Sequence, residues 1–348
     1  MPESRRQCRL APSLVNAIVE QGLFRVWIPR SCGGLELTLP ATLGIYESAA
    51  QIDGSLGWSI MIGAGGGLFA AFLPPATAQS LFRPRAAVVA GSGAPGGTAE
   101  KVAGGYRIRG RWRYASGADY ATIFTANCRV LDHGREILVA GRPLIRAMAF
   151  APQDVTIHRT WNTTGLRATG SHDIEVSAAF VPDDATFSVY SDPPREPGPL
   201  YRIPFATLTE LPVSALVLGI AEHALQEFVT LARSKPAIGT GRALSELRPV
   251  QLAMQNARAR IDQARRDLHE QANRVWEGAL SSGPLDPQLI STSATVSVQL
   301  VRSLLAAIAD LVPLAGMNAI AVDDPFSVTW RDMEAVAAHY SVSPALLP

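Results

Sequence analysis

The segment Gly105-Tyr-Arg-Ile-Arg-Gly-Arg-Trp-Arg-Tyr-Ala-Ser-Gly117 follows Gly104 and alternates apolar with charged side chains from its first residues. Tyr106-Arg-Ile-Arg directly after Gly104-Gly105 is the signature of a β-hairpin, with successive side chains on opposite faces. At its far end, Tyr114, Ser116 and Gly117 combine an aromatic ring, a hydroxyl and a flexible backbone. Such a strand end can stack on a flat ring and hydrogen-bond its edge. Outward from this segment, residues 86–90, 122–130, 136–140, 147–151, 155–160 and 174–181 are further strand candidates, many of them β-branched or aromatic. Several short strands within residues 86–187 predict a small sandwich or barrel.

Gly91-Ser-Gly93-Ala-Pro-Gly96 has the G-x-G-x-x-G spacing and follows an apolar run. A dinucleotide site requires a helix to begin there, so that its N-terminus meets the pyrophosphate. Pro95, Gly97 and the hairpin that follows disfavour a helix. The reading is a glycine-rich loop joining two strands, able to approach a ligand through its backbone amides.

Both flanks of the β region are helical. Before it, Pro12-Ser13 opens a segment with Leu14, Val15, Ile18 and Val19 at helical spacing, and Gly22 ends it. Further helices are expected over about 41–51 and 56–72, with a short one from Pro75. Residues 54–82 carry no charge. That is long enough to span a bilayer, which takes ~20 residues. Pro74-Pro75, the Gly63–Gly67 cluster and several polar residues interrupt it, so a buried helix is preferred to a membrane span.

After residue 187, a stretch with Pro193, Pro194, Pro197, Pro199 and Pro204 reads as a linker over 188–204. From 205 the pattern is helical again. Val250, Met254, Ala257, Ile261, Ala264, Leu268, Gln271/Ala272 and Val275 step by alternating four and three over residues 247–277. Arg258, Arg260, Arg265 and Arg266 fall on the opposite faces. Two more helices are expected over 287–311 and 324–340, and long antiparallel helices with short joins make an up-down bundle.

The formal net charge is +1, from 31 basic and 30 acidic residues, which leaves no electrostatic footprint for nucleic acid. Three cysteines (Cys8, Cys32, Cys128) without metal or CxxC spacing indicate a reducing compartment, the cytoplasm. The opening residues lack the apolar core and cleavage site of a signal peptide. The histidines show no paired helical spacing, no H-E-x-x-H and no carboxylate cluster, so no metal is expected. No G-x-S-x-G elbow is present.

The order of these parts, with 34–36 (Gly-Leu-Glu), 53–58 (Asp-Gly-Ser-Leu-Gly-Trp), 105–117, 169–173 (Thr-Gly-Ser-His-Asp), 180–182 (Phe-Val-Pro) and Trp330-Arg331-Asp332 with His339, resembles the acyl-CoA dehydrogenase superfamily. Within it the chain is similar to the flavin-dependent monooxygenase branch, the oxygenase components of two-component hydroxylases. The resemblance implies an α+β fold in three parts: a helical N-domain (1–85), a central β-barrel (86–187) and, after the linker, a C-terminal four-helix bundle (205–348). It implies FMN or FAD held between barrel and bundle, reduced by a partner flavin reductase, in a homo-oligomer, a tetramer.

It implies Tyr114, Ser116 and Trp161 around the flavin ring, Gly93 and Gly97 presenting backbone amides, and Arg242 reaching the flavin phosphate of a neighbouring subunit. His339 would act as acid or base, and Ser116 would stabilise a C4a-(hydro)peroxyflavin. Trp58, Phe69 and Tyr340 would line a pocket for a small aromatic or polycyclic substrate. The rival on the same fold is an α,β-dehydrogenase with Glu210 as base. The C-terminal neighbourhood reads Ala338-His339-Tyr340-Ser341 and lacks the Tyr-Glu-Gly stretch of dehydrogenases, which favours the monooxygenase. A non-catalytic ligand-binding paralogue is the reading of another class.

Overall fold

The structure is a computed structural model and describes residues 1–281 and 283–346. Its helices are α1 (Pro2–Arg6), α2 (Pro12–Glu20), α3 (Leu39–Ile52), α4 (Gly54–Gly65), α5 (Pro75–Phe82), α6 (Thr207–Ser234), α7 (Arg248–Leu280), α8 (Pro287–Ala309), α9 (Val312–Ala315) and α10 (Pro325–Ala337). Its strands are β1 (Val89–Val102), β2 (Gly105–Ala115), β3 (Ile123–Asp132), β4 (Arg135–Glu136), β5 (Leu138–Val139), β6 (Arg142–Pro143), β7 (Ile145–Phe150), β8 (Thr156–His158), β9 (His172–Pro182) and β10 (Thr186–Phe187). The chain forms two compact units. The first comprises residues 1–37, 59–162 and 167–201, and the second 38–58, 163–166 and 202–348.

The first unit is built on a sheet ordered β10-β7-β3-β1-β2-β9-β8, with β4 beside β3. The expected barrel is not closed. The strands at the two ends of the path, β10 and β8, are two and three residues long, too short to complete a ladder with each other. Trp112, Ile108, Phe124, Val130, Met148 and Ile174 fill its core. The alternation of 105–117 is realised: Ile108 and Trp112 are buried while Arg107 and Arg109 are exposed.

The glycine-rich segment is not a loop between strands. It lies inside β1 as a bulge, where pairing with β3 breaks after Ser92 and resumes at Gly97. Asn127 donates to the Gly93 carbonyl at 2.7 Å and pins the bulge. Within the uncharged run, the helix expected over 56–72 changes type along its length. It is α-helical to Gly65 and 3-10 from Gly66 to Phe72. A Cβ at Gly66 would lie 2.3 Å from Val89 Cβ, and one at Gly67 2.6 Å from Ile28 Cγ1, so the glycines permit a close approach. The proline-rich stretch is tied down: Arg146 pairs with Asp192 at 3.0 Å, and the Arg195 amide donates to Ala71 at 2.7 Å.

In the second unit α6 is buried along most of its length and packs against α3, α7, α8 and α10. A Cβ at Gly219 would stand 2.2 Å from the Glu47 carbonyl oxygen, so this glycine sets the approach of α3 to α6. Side-chain caps start three of the helices: Thr38 accepts from Ala41, Asp286 from Gln288 and Asp324 from Phe326. The α7 seam is buried at every expected position except the half-buried Met254.

Two arginines expected on the outer face of α7 turn inward. Arg258 holds Glu222 of α6 through two bonds of 2.6 and 2.7 Å. Arg265 bridges Glu222 at 3.1 Å and Glu47 of α3 at 2.7 Å, and His269 joins Glu47 at 3.2 Å. They therefore serve packing within the chain.

Candidate active site

In the first unit, β2 ends in a distorted corner. Tyr114 has φ +67°, a left-handed conformation unfavourable for a bulky residue, and 63% of its surface is exposed. Trp161 meets it edge-on, with ring centres 6.1 Å apart and planes at 77°. Immediately beyond, Ser116 Oγ lies 2.7 Å from Ser171 Oγ, which lies 2.7 Å from Thr169 Oγ1. This chain of three buried hydroxyls ties the strand end to the segment before β9. Gly117, at φ +78°, donates its amide to the Thr169 carbonyl at 2.9 Å. Ser171→Ala removes the middle hydroxyl and is expected to lower stability by about 1–2 kcal/mol, read from the urea midpoint at unchanged m-value.

Trp161 is oriented by groups that sequence reading did not assign. Its amide donates to His172 Nδ1 at 3.1 Å. The other ring nitrogen, Nε2, lies 3.3 Å from Arg159 Nη1 and 3.7 Å from Asp119 Oδ2. Burial pushes the His172 pKa down, against the pull of Asp119. Arg159 pairs with the other oxygen of Asp119. Asp119 and His172 stand 53 residues apart in the chain, and no local spacing marks them.

In the second unit, α10 ends at Ala337, so His339 lies beyond the helix that was expected to carry it. His339 has ψ 138° and caps the turn Tyr340–Val342. Its Nδ1 accepts from the Ser341 amide at 3.4 Å and lies 2.8 Å from Ser341 Oγ. Nε2 is left to carry the proton of the neutral ring and has no hydrogen-bond partner among the described residues. Trp58 approaches the imidazole edge-on at 5.5 Å, and the Tyr340 ring lies 4.6 Å away. Burial lowers the His339 pKa to about 4. The result is a neutral imidazole walled by two aromatic rings. Nearby, Asp332 Oδ1 accepts the Leu166 amide at 2.6 Å, fixing residues 163–166 onto α10.

The other expected residues fall as follows. Phe69 lies in the first unit, its ring tilted against that of Phe187 with centres 4.9 Å apart. Gly93 is exposed with open space where a Cβ would be, whereas a Cβ at Gly97 would lie 2.2 Å from the Trp112 ring. Arg242 sits on an exposed loop and bonds the Glu246 carbonyl at 2.6 Å. Glu210 is buried in the first turn of α6. An open groove of about 470 Å³ between α8 and α10 is lined by Leu305, Ala306, Ala309, Trp330 and Glu334. Among the described residues no group of three His, Cys, Asp or Glu side chains could hold a metal ion.

Residues 211–344 match the family model described as acyl-CoA dehydrogenase, C-terminal domain. The chain is 29% identical over 338 residues to an indole-3-acetate monooxygenase of Pseudomonas putida, covering 97% of this chain and 85% of that protein. It is 26% identical over 346 residues to the oxygenase subunit HsaA of a flavin-dependent monooxygenase from Rhodococcus jostii (strain RHA1), covering 97% and 89%. Among solved structures, XiaF from Streptomyces sp., in complex with FADH2 and glycerol, superposes with a TM-score of 0.89 at 24% identity, over 99% of this chain and 87% of that one.

Proposed function

We propose that this chain, which belongs to the acyl-CoA dehydrogenase superfamily on its flavin-dependent monooxygenase side, is the oxygenase component of a two-component system that hydroxylates a small aromatic substrate. The observation that carries the reading is the neutral, half-buried His339 with its free Nε2, set between Trp58 and Tyr340. The relatives' names favour oxygenation over α,β-desaturation with Glu210 as base, and over a catalytically idle paralogue.

The residues of the first unit suit a flavin. An exposed tyrosine held in a costly conformation against Trp161 offers π surface to a planar ring, and the bulge leaves open space where a Cβ at Gly93 would be. FAD is preferred to FMN, following the FADH2 of XiaF. When bound, the reduced flavin, supplied by a separate reductase, provides the electrons that activate O2.

The chain's own residues do the rest. Tyr114 and Trp161 orient the ring. Ser116, anchored through Ser171 and Thr169, presents its hydroxyl at the ring edge. His172 fixes Trp161 through the backbone. Trp58 and Tyr340 hold the aromatic substrate and keep water from it. His339 Nε2–H donates a hydrogen bond to the reacting oxygen or substrate.

The finer architecture that suits this reading is a four-helix bundle of α6, α7, α8 and α10. A homo-oligomer, a homotetramer in this reading, is supported by the stretch from Pro287 to Ile320, whose apolar 18-residue window is only 39% buried. Arg242 reaching a neighbouring subunit's flavin phosphate belongs to the same assembly. Three free cysteines, two of them buried, suit the cytoplasm. The test is to mix the protein with reduced FAD, oxygen and indole-3-acetate and to quantify hydroxylated product against hydrogen peroxide. Product formation supports the reading. Release of all the oxygen as peroxide, across a panel of indoles and phenols, overturns it.

A further inference from the structure

The head of α6 carries two buried polar groups with nothing to bond. Glu210 is 7% exposed and its Oε2 has no hydrogen-bond partner. Thr207, fully buried three residues earlier, has an unpartnered Oγ1. At i and i+3 the two side chains share one face of the first turn. Burial raises the Glu210 pKa to about 7. A buried carboxyl without a donor is costly, and native proteins satisfy nearly all such groups. Two on one helical face describe a site whose partner comes from outside the chain.

Packing places this face at the end of the second unit that holds His339. Phe326 of α10 packs tilted against Phe228 of α6, with ring centres 5.5 Å apart. One and a half turns later, a Cβ at Gly54 would touch both Asp332 of α10, at 2.9 Å, and Ile220 of α6, at 3.1 Å. As α10 advances from 326 to 332, its partner on α6 retreats from 228 to 220, so the helices run antiparallel. Continued at the same pitch, the turn after α10 meets the first turns of α6. Residues 340–342 do pack on α6, and Trp58, one turn beyond Gly54, meets the His339 ring.

We propose that Glu210 and Thr207 form a polar subsite that binds the hydrogen-bond donor of an aromatic substrate, a ring N–H or a phenolic O–H, while Trp58 and Tyr340 hold its ring. The subsite deepens the oxygenase reading and rests on His339 facing the substrate. It gives Glu210 the task of orientation. The carboxyl accepts the donor, and Thr207 Oγ1 completes the set by donating to the carboxyl or accepting from the ligand.

The experiment compares indole with indene, its carbocyclic analogue without the N–H, by titration calorimetry on the full chain. Wild type is expected to prefer indole by about tenfold, the worth of one well-made buried hydrogen bond. In Glu210→Leu the preference falls to within threefold, and Glu210→Gln, which keeps an acceptor, restores most of it. Thr207→Val lowers it by a smaller factor. Glu210→Leu also removes an unpaired buried carboxyl, so its thermal midpoint rises. If it does not fold, the Gln and Val variants decide.

Equal binding of indole and indene by wild type, or an unchanged preference in the Glu210 variants, overturns the subsite. Product assays with reduced FAD run alongside. A preference abolished in Glu210→Leu with no hydroxylation in wild type keeps the subsite and rejects the oxygenase reading. Hydroxylation with a preference indifferent to Glu210 does the reverse.

Discussion

Replacing His339 with alanine is expected to lower the rate of substrate hydroxylation by about 10²- to 10³-fold, the range for removing one positioned hydrogen-bond donor. Flavin affinity should change little, because the flavin contacts are assigned to Tyr114, Ser116 and Trp161. The loss should appear as a shift from product to peroxide at a nearly constant rate of flavin oxidation. A large loss of flavin affinity in His339→Ala would sink the assignment.

The pH dependence follows from the environment of the ring. His339 is half-buried, and loss of solvent pushes its pKa down to about 4, below the ordinary 6.5. The neutral form therefore prevails throughout the physiological range, and the rate should hold level from pH 8 to 6 and decline only as pH falls toward 4. A rate profile breaking near 6.5 would place the titrating group elsewhere. The same shift has a sign in stability. Between the unfolded and folded pKa values the unfolded chain binds more protons, so this contribution is complete above 6.5 and is lost as pH falls toward 4. Glu210 works in the other direction. Its raised pKa makes the fold most favourable below the ordinary carboxylate value, and that contribution is lost as pH rises through about 7.

The largest effect on stability is expected at Glu222. Its side chain is buried in α6 and takes three bonds from Arg258 and Arg265 of α7, while Arg265 and His269 also engage Glu47 of α3. Burial pushes the Glu222 pKa up, but the two arginines outweigh it and hold the carboxyl below its usual range. Glu222→Ala leaves two guanidinium groups facing a cavity. Removing one partner of a buried pair costs 3–5 kcal/mol, and here about 3 kcal/mol is expected because both arginine heads keep access to water. Against a total of roughly 5–15 kcal/mol for a native domain, this is a large fraction. Urea unfolding followed by far-UV circular dichroism should show it, and a midpoint unchanged from wild type would mean the network contributes nothing. Acid should weaken it as well, since the stability held by the depressed carboxylate is lost as pH falls below 4.5 through its folded value.

Local rules decided much of the architecture. Alternation in 105–117, the step of four and three along α7, and prolines at helix starts all describe what a residue does with near neighbours, and the structure keeps them. Features that depend on distant pairing escaped. The charges on Arg258 and Arg265 look the same to a local rule whether they face water or Glu222, because the deciding carboxylate is on another helix. The G-x-G-x-x-G spacing says nothing about whether a strand runs through it. Only the loss of register between β1 and β3 makes it a bulge. His339 could be singled out, but its position past the end of α10 depends on the Ser341 amide it caps. Asp119 carries no signal in the sequence, and His172, though within the 169–173 motif, shows its role only where it meets Trp161 and Asp119 in space.

The left-handed backbone at Tyr114 bears on the history of the gene as well as its chemistry. Glycine would adopt φ +67° without penalty, whereas tyrosine costs on the order of 1 kcal/mol there, and the unpaired carboxyl of Glu210 adds a cost of its own. A copy released from selection for catalysis, but still required to fold, should drift at these two positions before any in the core. A library sorted for thermal resistance alone should be enriched in Gly at 114 and apolar residues at 210. Retention of both wild-type residues under that sorting would mean that they serve the fold itself.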